Sequence, residues 1–305
     1  MTDLLAERFD AIVIGGGHNG LTCAAYLARD GMSVLVVEAR DTVGGCASTV
    51  DALGGARVNV CNCDHALVRA TGVIEDLDLP AHGLTYLEMD PAQLMMPWDG
   101  SPAWMLFKDV DRTLHSLSLT HPRQVGGYRR YVADLLPAAE LVLEMTAGPP
   151  LVGAVAKRLA ARRGRGLRGL LKLSRKSCAD VLADYFDDEA LLAGPAVTGP
   201  AVWGLPPQTP GTGLGALGYA LRHAVPVGRP IGGSGALTDA LASAVRAAGG
   251  TVRTGVRVAG IRTAGGRTQG ITLASGRGID APFVISSGDP RATIVDLLEA
   301  VPSGG

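Results

Sequence analysis

The sequence contains little charge and few aromatic residues. Of its 305 residues, 19% are charged and 4% are aromatic, whereas 47% are hydrophobic. This composition excludes a disordered chain and a coiled coil, and it predicts a globular protein with a large buried core. The formal net charge of -1 provides no overall attraction to DNA or RNA, so we expect no nucleic-acid partner.

Targeting signals and long apolar runs are also missing. The segment Met1–Arg8 is acidic and lacks the basic and apolar regions of an export signal, so export is not expected. No uninterrupted apolar run approaches the length of a membrane-spanning helix. The five cysteines are an odd number in a long chain, which fits a reducing compartment better than a disulfide framework. We therefore expect a cytoplasmic location.

One short run has the residue types of a metal site, namely Cys61-Asn62-Cys63-Asp64-His65. Structural zinc sites use four ligands in paired spacing, and the sequence has no second pair. We therefore expect no metal and interpret the run as a buried loop beside a cofactor.

Glycine, in contrast, is abundant. The chain has 42 glycines, about twice the average usage. Much of the excess lies in short clusters at the ends of predicted strands, which excludes collagen-like and low-complexity sequence. The glycines therefore indicate turns and close approaches of the backbone.

The most informative cluster follows the first predicted strand. The apolar run Phe9–Ile14 predicts a buried strand, residues 21–29 predict a helix, and Ser33–Glu38 predicts a second buried strand. Between the first strand and the helix, Gly15-Gly16-Gly17-His18-Asn19-Gly20 matches G-x-G-x-x-G, and the acid Glu38 lies eighteen residues beyond it. Together these features are typical of a dinucleotide-binding domain.

Each residue of this pattern has a physical role. Gly15 permits the tight turn, Gly17 lets the backbone approach a pyrophosphate, and Gly20 lets the helix pack closely on the strand. The N–H groups and dipole at the start of the helix favour phosphate. Glu38 would accept hydrogen bonds from ribose hydroxyls and repel a 2'-phosphate, which allows FAD or NAD and disfavours NADP. A glycine turn without any ligand is the alternative.

The residues after Glu38 carry a resemblance to a known family. Ala39 and Arg40 follow the acid, and Gly44-Gly45-Cys46 comes shortly afterwards. This order resembles the phytoene desaturase and amine oxidase superfamily of flavoproteins. Its branch of phytoene dehydrogenase-related and pyridine nucleotide-disulfide oxidoreductase domain-containing proteins is the most similar. The resemblance implies FAD as the cofactor, with Arg40 and the Gly44–Gly45 backbone on its phosphate and ribityl groups.

The resemblance also extends the candidate site to later segments. It implies a contact between the backbone of Val256 and adenine, and it implies that the chain returns to the cofactor at Ser287 and Gly288, with Gly232, Gly233 and Gly235 as further glycines beside FAD. The expected cofactor-binding residues are Gly15, Gly17, His18, Asn19, Gly20, Glu38, Ala39, Arg40, Gly44, Gly45, Cys46, Val256, Ser287 and Gly288.

Two positions limit what the resemblance implies about chemistry. Cys46 departs from the Arg common after Gly-Gly in amine oxidases, and we interpret it as a small apolar residue against the cofactor, with a reactive thiol as the alternative. No catalytic residue is assigned, because the flavin carries the redox step. The nearest candidates, His65, Tyr219 and His223, are expected to be structural.

The predicted fold class is α/β. A Rossmann-like FAD-binding domain with a parallel sheet and a small β-meander would span residues 1–85 and 227–305. An α+β substrate or cap domain would be inserted at residues 86–226, with helices over 128–146 and 179–192. The enzymes of the resembled family are longer, so we expect the C-terminal part of their fold to come from a separately encoded subunit, or the chain to form a homo-oligomer.

A basic stretch lies inside the predicted insertion. Residues 151–177 contain nine basic residues and no acid, with leucines interleaved, although Gly164, Gly166 and Gly169 weaken one continuous helix. The stretch is either a solvated face, a contact of residues 157–176 with an anionic membrane or lipid substrate, or a contact with a protein partner. Its basic residues are Lys157, Arg158, Arg162, Arg163, Arg165, Arg168, Lys172, Arg175 and Lys176.

These features predict an FAD-dependent oxidoreductase that removes hydride from an apolar small molecule, as the N-terminal subunit of a split enzyme. Two alternatives remain open. The chain could be a non-catalytic FAD- or nucleotide-binding scaffold, or a redox-neutral polyene isomerase that uses reduced flavin.

Overall fold

The fold is taken from a computed structural model, which describes residues 7–52, 54–61, 64–146, 148, 151–164 and 166–299. The chain divides into two compact units. The first unit comprises Met1–Asp64, Val73–Leu87 and Arg229–Gly305, and the second comprises His65–Gly72 and Glu88–Gly228.

The strands are β1 (Ala11–Ile14), β2 (Val34–Val37), β3 (Thr49–Ala52), β4 (Ala56–Asn59), β5 (Tyr86–Glu88), β6 (Gln93–Met95), β7 (Trp104–Leu106), β8 (Gly228–Pro230), β9 (Thr251–Arg253), β10 (Val258–Ala264), β11 (Arg267–Leu273), β12 (Gly278–Asp280) and β13 (Phe283–Ser286). The α-helices are α1 (His18–Arg29), α2 (Ala66–Arg69), α3 (Val73–Asp76), α4 (Val110–Thr120), α5 (Val125–Thr146), α6 (Val152–Ala161), α7 (Leu167–Leu173), α8 (Cys178–Ala183), α9 (Glu189–Thr198), α10 (Gly218–Ala224) and α11 (Gly235–Ala247). Short 3-10 turns lie between several of them, and a π-helical segment spans Ala292–Leu297.

The first unit is built on a parallel sheet with the strand order β13-β1-β2-β9. Ile12 of β1 lies between Leu35 and Val284, the paired residues of the two neighbouring strands. The side chains of Ile12 and Leu35 are fully buried, as expected for parallel strands covered on both faces. Helix α1 connects β1 to β2 and packs against α11. The predicted Rossmann-like α/β fold is confirmed.

A three-stranded antiparallel meander, β10-β11-β12, completes the core of the first unit. Ile271 and Ile279 of the meander pack with Ile12 and Leu35 of the parallel sheet in one buried cluster. Because the meander packs on the parallel sheet in this way, it helps to fix the positions of the four parallel strands relative to one another.

The second unit is mainly helical, and its core concentrates the few aromatic residues of the chain. Trp104 stacks edge-on against Tyr128 and Tyr219, with ring centroids 6.2 and 5.4 Å away. The hydroxyl of Tyr131 donates a hydrogen bond to the carbonyl oxygen of Ala216 at 2.5 Å. These contacts satisfy the polar ends of buried rings while their apolar bodies fill the core.

Some predicted boundaries differ from the structure. The helix predicted over 179–192 is two helices, because Asp188 begins a new one by accepting a hydrogen bond from the Ala190 N–H at 2.9 Å. The second unit begins and ends two residues later than the predicted insertion, and it also takes in residues 65–72.

Candidate functional site

The sequence-predicted site residues lie at one edge of the parallel sheet. All four strands run in the same direction, so their carboxyl ends meet at that edge. The candidate segments follow the strands in turn: Gly15–Gly20 follow β1, Glu38–Arg40 follow β2, Val256 follows β9, and Ser287–Gly288 follow β13. In open α/β sheets, this edge is where ligands bind.

The glycine turn after β1 is tightly packed. Gly15 has φ +103°, and a Cβ on Gly20 would lie 2.2 Å from the Gly15 carbonyl oxygen and 2.6 Å from Ser287 Oγ. Helix α1 then begins at His18, and no described side chain caps it. Its first N–H groups are therefore donors for an anionic ligand.

The second glycine pair lies directly against this turn. The Gly44 N–H donates a hydrogen bond to the Gly16 carbonyl oxygen at 2.9 Å, and Gly17 and Gly44 form an isolated parallel bridge. A Cβ on Gly45 would lie 3.2 Å from the Gly17 Cα. The two motifs, which are 24 residues apart in the sequence, thus form one continuous backbone surface.

Glu38 is fixed between two backbone donors. One carboxylate oxygen accepts a hydrogen bond from the Gly16 N–H at 2.7 Å, and the other accepts one from the Arg40 N–H at 2.9 Å. A carboxylate offers about four acceptor sites, so each oxygen retains capacity for a ribose hydroxyl. The Val256 N–H donates to the Glu38 carbonyl oxygen at 2.8 Å, which places Val256 beside this acid.

The side chains around this surface differ in exposure. Asn19, Ala39, Arg40 and Cys46 are exposed. The guanidinium of Arg40 has no acidic partner within the described part of the chain, so it is available to a phosphate. His18 is half-buried, and burial lowers its pKa, which favours the neutral imidazole at pH 7.

Sequence reasoning missed the residues that position the second glycine pair and the start of α11. Ser48 Oγ donates a hydrogen bond to the Gly45 carbonyl oxygen at 2.7 Å. Thr49 Oγ1 accepts one from the Gly235 N–H at 2.9 Å, and Asn59 Oδ1 accepts one from the Ser234 N–H at 2.9 Å. Hydroxyl and amide residues in short strands are too common for their spacing to have indicated these roles.

These contacts give two glycines of a later cluster a role within the protein itself. A Cβ on Gly233 would lie 2.4 Å from Thr49 Oγ1, and a Cβ on Gly235 would lie 3.2 Å from the Thr49 backbone nitrogen. Gly233 and Gly235 therefore make room for the β3–β4 hairpin of the protein itself, which explains them without a ligand.

The three residues considered as catalytic candidates are buried. Tyr219 donates a hydrogen bond to the Leu191 carbonyl oxygen at 2.8 Å, and the His223 ring nitrogens bond to Tyr128 and to the Lys108 carbonyl oxygen. His65 is 1% exposed. Tyr219 and His223 belong to the second-unit core, so we assign no catalytic role to them.

Asn62 and Cys63 of the Cys61–His65 run lie outside the described residues. Within the described ranges, no group of three His, Cys, Asp or Glu side chains is arranged to hold a metal ion. Likewise, no described helix has the length and apolarity needed to cross a bilayer.

The residues present fit a dinucleotide. The glycine turn, the uncapped start of α1 and the Gly44–Gly45 backbone provide N–H donors for a pyrophosphate, and Glu38 provides fixed acceptors for a ribose. The fold and this edge of the sheet define the first unit as a Rossmann-like dinucleotide-binding unit.

Comparison with known families identifies the chain more closely. Residues 13–71 match the NAD(P)-binding Rossmann-like domain, and residues 71–294 match the family of flavin-containing amine oxidoreductases. The chain belongs to this family of flavin-containing amine oxidoreductases, which confirms the predicted superfamily. Membership of this flavin-containing family supports FAD as the cofactor, as predicted.

Individual relatives agree with this assignment. The chain is 30% identical to the rat (Rattus norvegicus) pyridine nucleotide-disulfide oxidoreductase domain-containing protein 2, covering 96% of this chain and 55% of that protein. It is 29% identical to a lycopene-forming phytoene desaturase from a Paracoccus species, and the match covers 94% of this chain and 56% of that protein. A variant of putrescine oxidase has a similar fold, with a TM-score of 0.62 and 18% identity over 97% of this chain and 62% of that one. The chain therefore spans about half the length of the curated relatives it matches.

Proposed function

We propose that this chain forms the FAD-binding part of an oxidoreductase that transfers hydride from an apolar small molecule to the flavin. The observation that carries the proposal is the arrangement of Glu38, which is held at the end of β2 beside the glycine turn. When bound, FAD would supply the hydride-accepting chemistry. The apolar substrate class is supported by the similarity to a phytoene desaturase.

The chain's own residues would bind and orient the cofactor. The uncapped first turn of α1 and the Gly44–Gly45 backbone would hold the pyrophosphate. Arg40, which lies shortly before Gly44 in the sequence, would add a charge-assisted hydrogen bond to the same phosphates. Glu38 would hold the adenosine ribose and disfavour a 2'-phosphate through its negative charge. The Val256 N–H already donates a hydrogen bond to the Glu38 carbonyl oxygen. The carbonyl oxygen of Val256 would therefore be the backbone group that contacts adenine.

We further propose that the surroundings of the flavin ring come from polypeptide beyond these 305 residues, supplied by a separately encoded subunit. The matched region is 55% of the rat protein, so that relative contains further polypeptide that this sequence does not cover. The sheet offers a place for such a chain, because β13 is an edge strand in the described sheet. Its Phe283 is 60% exposed, and the nearby segment 292–297 exposes Ile294 and Val295. Edge strands with exposed apolar residues accept added strands. A homo-oligomer is the alternative partner.

The visible absorption spectrum tests the proposal. The chain is purified alone and after co-expression with the product of the adjacent reading frame. We expect a bound-flavin spectrum in the co-expressed sample and its bleaching by an apolar substrate in the absence of oxygen. No flavin in either sample would contradict the proposal and favour a non-catalytic scaffold. Conversion of a polyene only with pre-reduced flavin, and without net oxidation, would favour an isomerase.

A further inference from the structure

The basic stretch of the second unit separates into paired and unpaired residues. Arg162 forms ion pairs with Glu140 at 3.2 Å and Glu144 at 2.5 Å, while Lys172 and Lys176 both pair with Asp184, at 3.1 and 2.8 Å. Arg165 lies outside the described residues. These four ion pairs hold the stretch to α5 and to Asp184 after α8, and the charge of the three basic residues is largely neutralised within the unit.

Four basic residues of the stretch face solvent without an ion pair, whereas Arg158 is partly buried. Lys157 on α6, Arg163 in the following turn, and Arg168 and Arg175 on and after α7 are all exposed. No acidic partner for these four residues is found within the described part of the chain. A solvated positive surface therefore remains after the internal ion pairs are formed.

Helix α7 carries leucines on both of its sides. Leu173 is fully buried in the second-unit core and Leu170 packs against it. Leu167 and Leu171, four residues apart, instead point to solvent and are 36% and 57% exposed. The core accounts for the first pair of leucines and leaves the second pair without a structural role.

The exposed leucines of α7 share one face with Arg168. At 100° per residue, Leu167 and Leu171 lie next to each other and Arg168 lies on their flank, while Arg175 follows shortly after the end of the helix. Leu151 and Val152, at the start of α6, are likewise exposed apolar residues, at 64% and 87%. Apolar residues bordered by Lys and Arg are typical of helices that lie in a membrane interface.

The position of α7 is fixed by close backbone packing. A Cβ on Gly166 would lie 2.4 Å from the Pro137 carbonyl oxygen, and one on Gly169 would lie 3.2 Å from Ala138 Cβ. These glycines let α7 approach α5 closely, so the leucine-arginine face is presented outward by a packed helix pair. Between α6 and α7, Gly164 and Gly166 have positive φ angles of +69° and +85°, which is why the stretch forms two short helices instead of one.

We propose that this α6–α7 surface docks on an anionic lipid bilayer. Lipid acyl chains would receive Leu167 and Leu171, and anionic headgroups would receive the neighbouring arginines. Charge complementarity favours an anionic surface, and a fluid bilayer accommodates a short convex helical face without needing a matching groove. This inference concerns the second unit and does not depend on the proposed flavin chemistry.

Flotation with lipid vesicles tests the proposal. Vesicles of equal parts phosphatidylglycerol and phosphatidylcholine are compared with vesicles of phosphatidylcholine alone. We expect binding to the anionic vesicles only, weakened by added salt. The double variant Arg168→Gln and Arg175→Gln should reduce partitioning about 30-fold, from about 1 kcal/mol per basic residue. The matched control, Arg246→Gln with Arg267→Gln, removes the same charge from exposed positions of the first unit and should bind like the parent protein.

A second variant tests the apolar contact. Leu167→Ser with Leu171→Ser keeps every charge and should reduce partitioning about tenfold or more. Because Leu167 is only 36% exposed, we expect a small decrease in the thermal unfolding midpoint, and a cooperative unfolding transition checks that each variant is folded. Absence of vesicle binding, or an equal loss in the control variant, would overturn the proposal. Absence of vesicle binding combined with salt-sensitive capture of an acidic protein would assign the surface to a protein partner.

Discussion

The carboxylate of Glu38 accepts a hydrogen bond from the backbone N–H of Gly16 at 2.7 Å, so the acid at the end of β2 is tied to the turn at the end of β1. Two strands therefore fix the relative positions of the proposed phosphate-binding and ribose-binding parts of the site. Because the acid is held in this way, little side-chain freedom is lost when a ribose binds.

We expect Glu38→Gln to weaken FAD binding by about 10- to 100-fold, because a charge-assisted hydrogen bond contributes about 1.5–3 kcal/mol. The FAD dissociation constant, measured by flavin fluorescence, checks this. The matched control is Glu75→Gln on α3, which is exposed and outside the candidate site. Equal affinity in the Glu38 variant and the parent protein would contradict the ribose assignment.

Gly20→Ala should destabilise the first unit by about 1–3 kcal/mol, because the new Cβ would lie 2.2 Å from the Gly15 carbonyl oxygen. Gly126→Ala in α5 is the matched control, since its nearest neighbour would be 3.9 Å away. By helix propensity alone, both substitutions would be stabilising by up to about 1 kcal/mol. Urea unfolding should therefore give opposite signs for the two variants, and the same sign in both would show that the turn relaxes around the methyl group.

Tyr128→Phe should destabilise the second unit by about 1–3 kcal/mol. Because His223 Nδ1 lies 3.0 Å from the Lys108 carbonyl oxygen, that nitrogen carries the proton and Nε2 accepts a bond from the Tyr128 hydroxyl at 2.8 Å. Removing the hydroxyl leaves a buried acceptor unpaired. A decrease in the free energy of unfolding that is smaller than the error of a denaturant titration would mean that a water molecule replaces the hydroxyl.

The protein should lose stability on acidification from neutral pH. Burial lowers the pKa of His18 and of His223, so the unfolded state takes up protons at higher pH than the native state does. Stability from these residues is complete above the unfolded pKa of about 6.5 and decreases as pH falls from there towards the folded pKa. His223→Gln should reduce the slope of the unfolding free energy against pH, whereas the exposed His115→Gln should leave the slope unchanged.

Cysteine labelling should report on the cofactor site. Cys46 is exposed and follows Gly45, which packs on Gly17, so iodoacetamide should modify it readily and bound FAD should slow the reaction. Cys178 is buried, and burial raises its pKa to about 11, so it should react only on unfolding. Labelling of Cys46 at the same rate with and without FAD would exclude this position from the cofactor contact.

The sequence allowed prediction of the parts of the site that depend on local structure. A strand, a glycine turn, a helix and an acid-ended strand follow one another within residues 9–38, and each is indicated by short-range periodicity and glycine spacing. The parallel ends of the strands then bring Val256 and Ser287 to the same edge. These residues could be proposed only through the family resemblance.

Other features depend on contacts that one sequence does not reveal. The division of residues 178–198 into two helices depends on Asp188, whose capping role is one of several conformations open to an aspartate. The association of Thr49 with Gly233 and Gly235 joins positions more than 180 residues apart. The sequence shows the basic stretch as a charge pattern. It does not show which basic residues are neutralised, because the acidic partners come from α5 and from Asp184.

The aromatic core of the second unit provides an intrinsic fluorescence signal for its unfolding. All three tryptophans, Trp98, Trp104 and Trp203, lie in that unit, and only Trp104 is buried, against Tyr128 and Tyr219. A red shift of tryptophan emission during denaturation would therefore follow the opening of this unit alone. Flavin release would follow the other unit, so the order in which the two units unfold could be read from a single sample at two wavelengths.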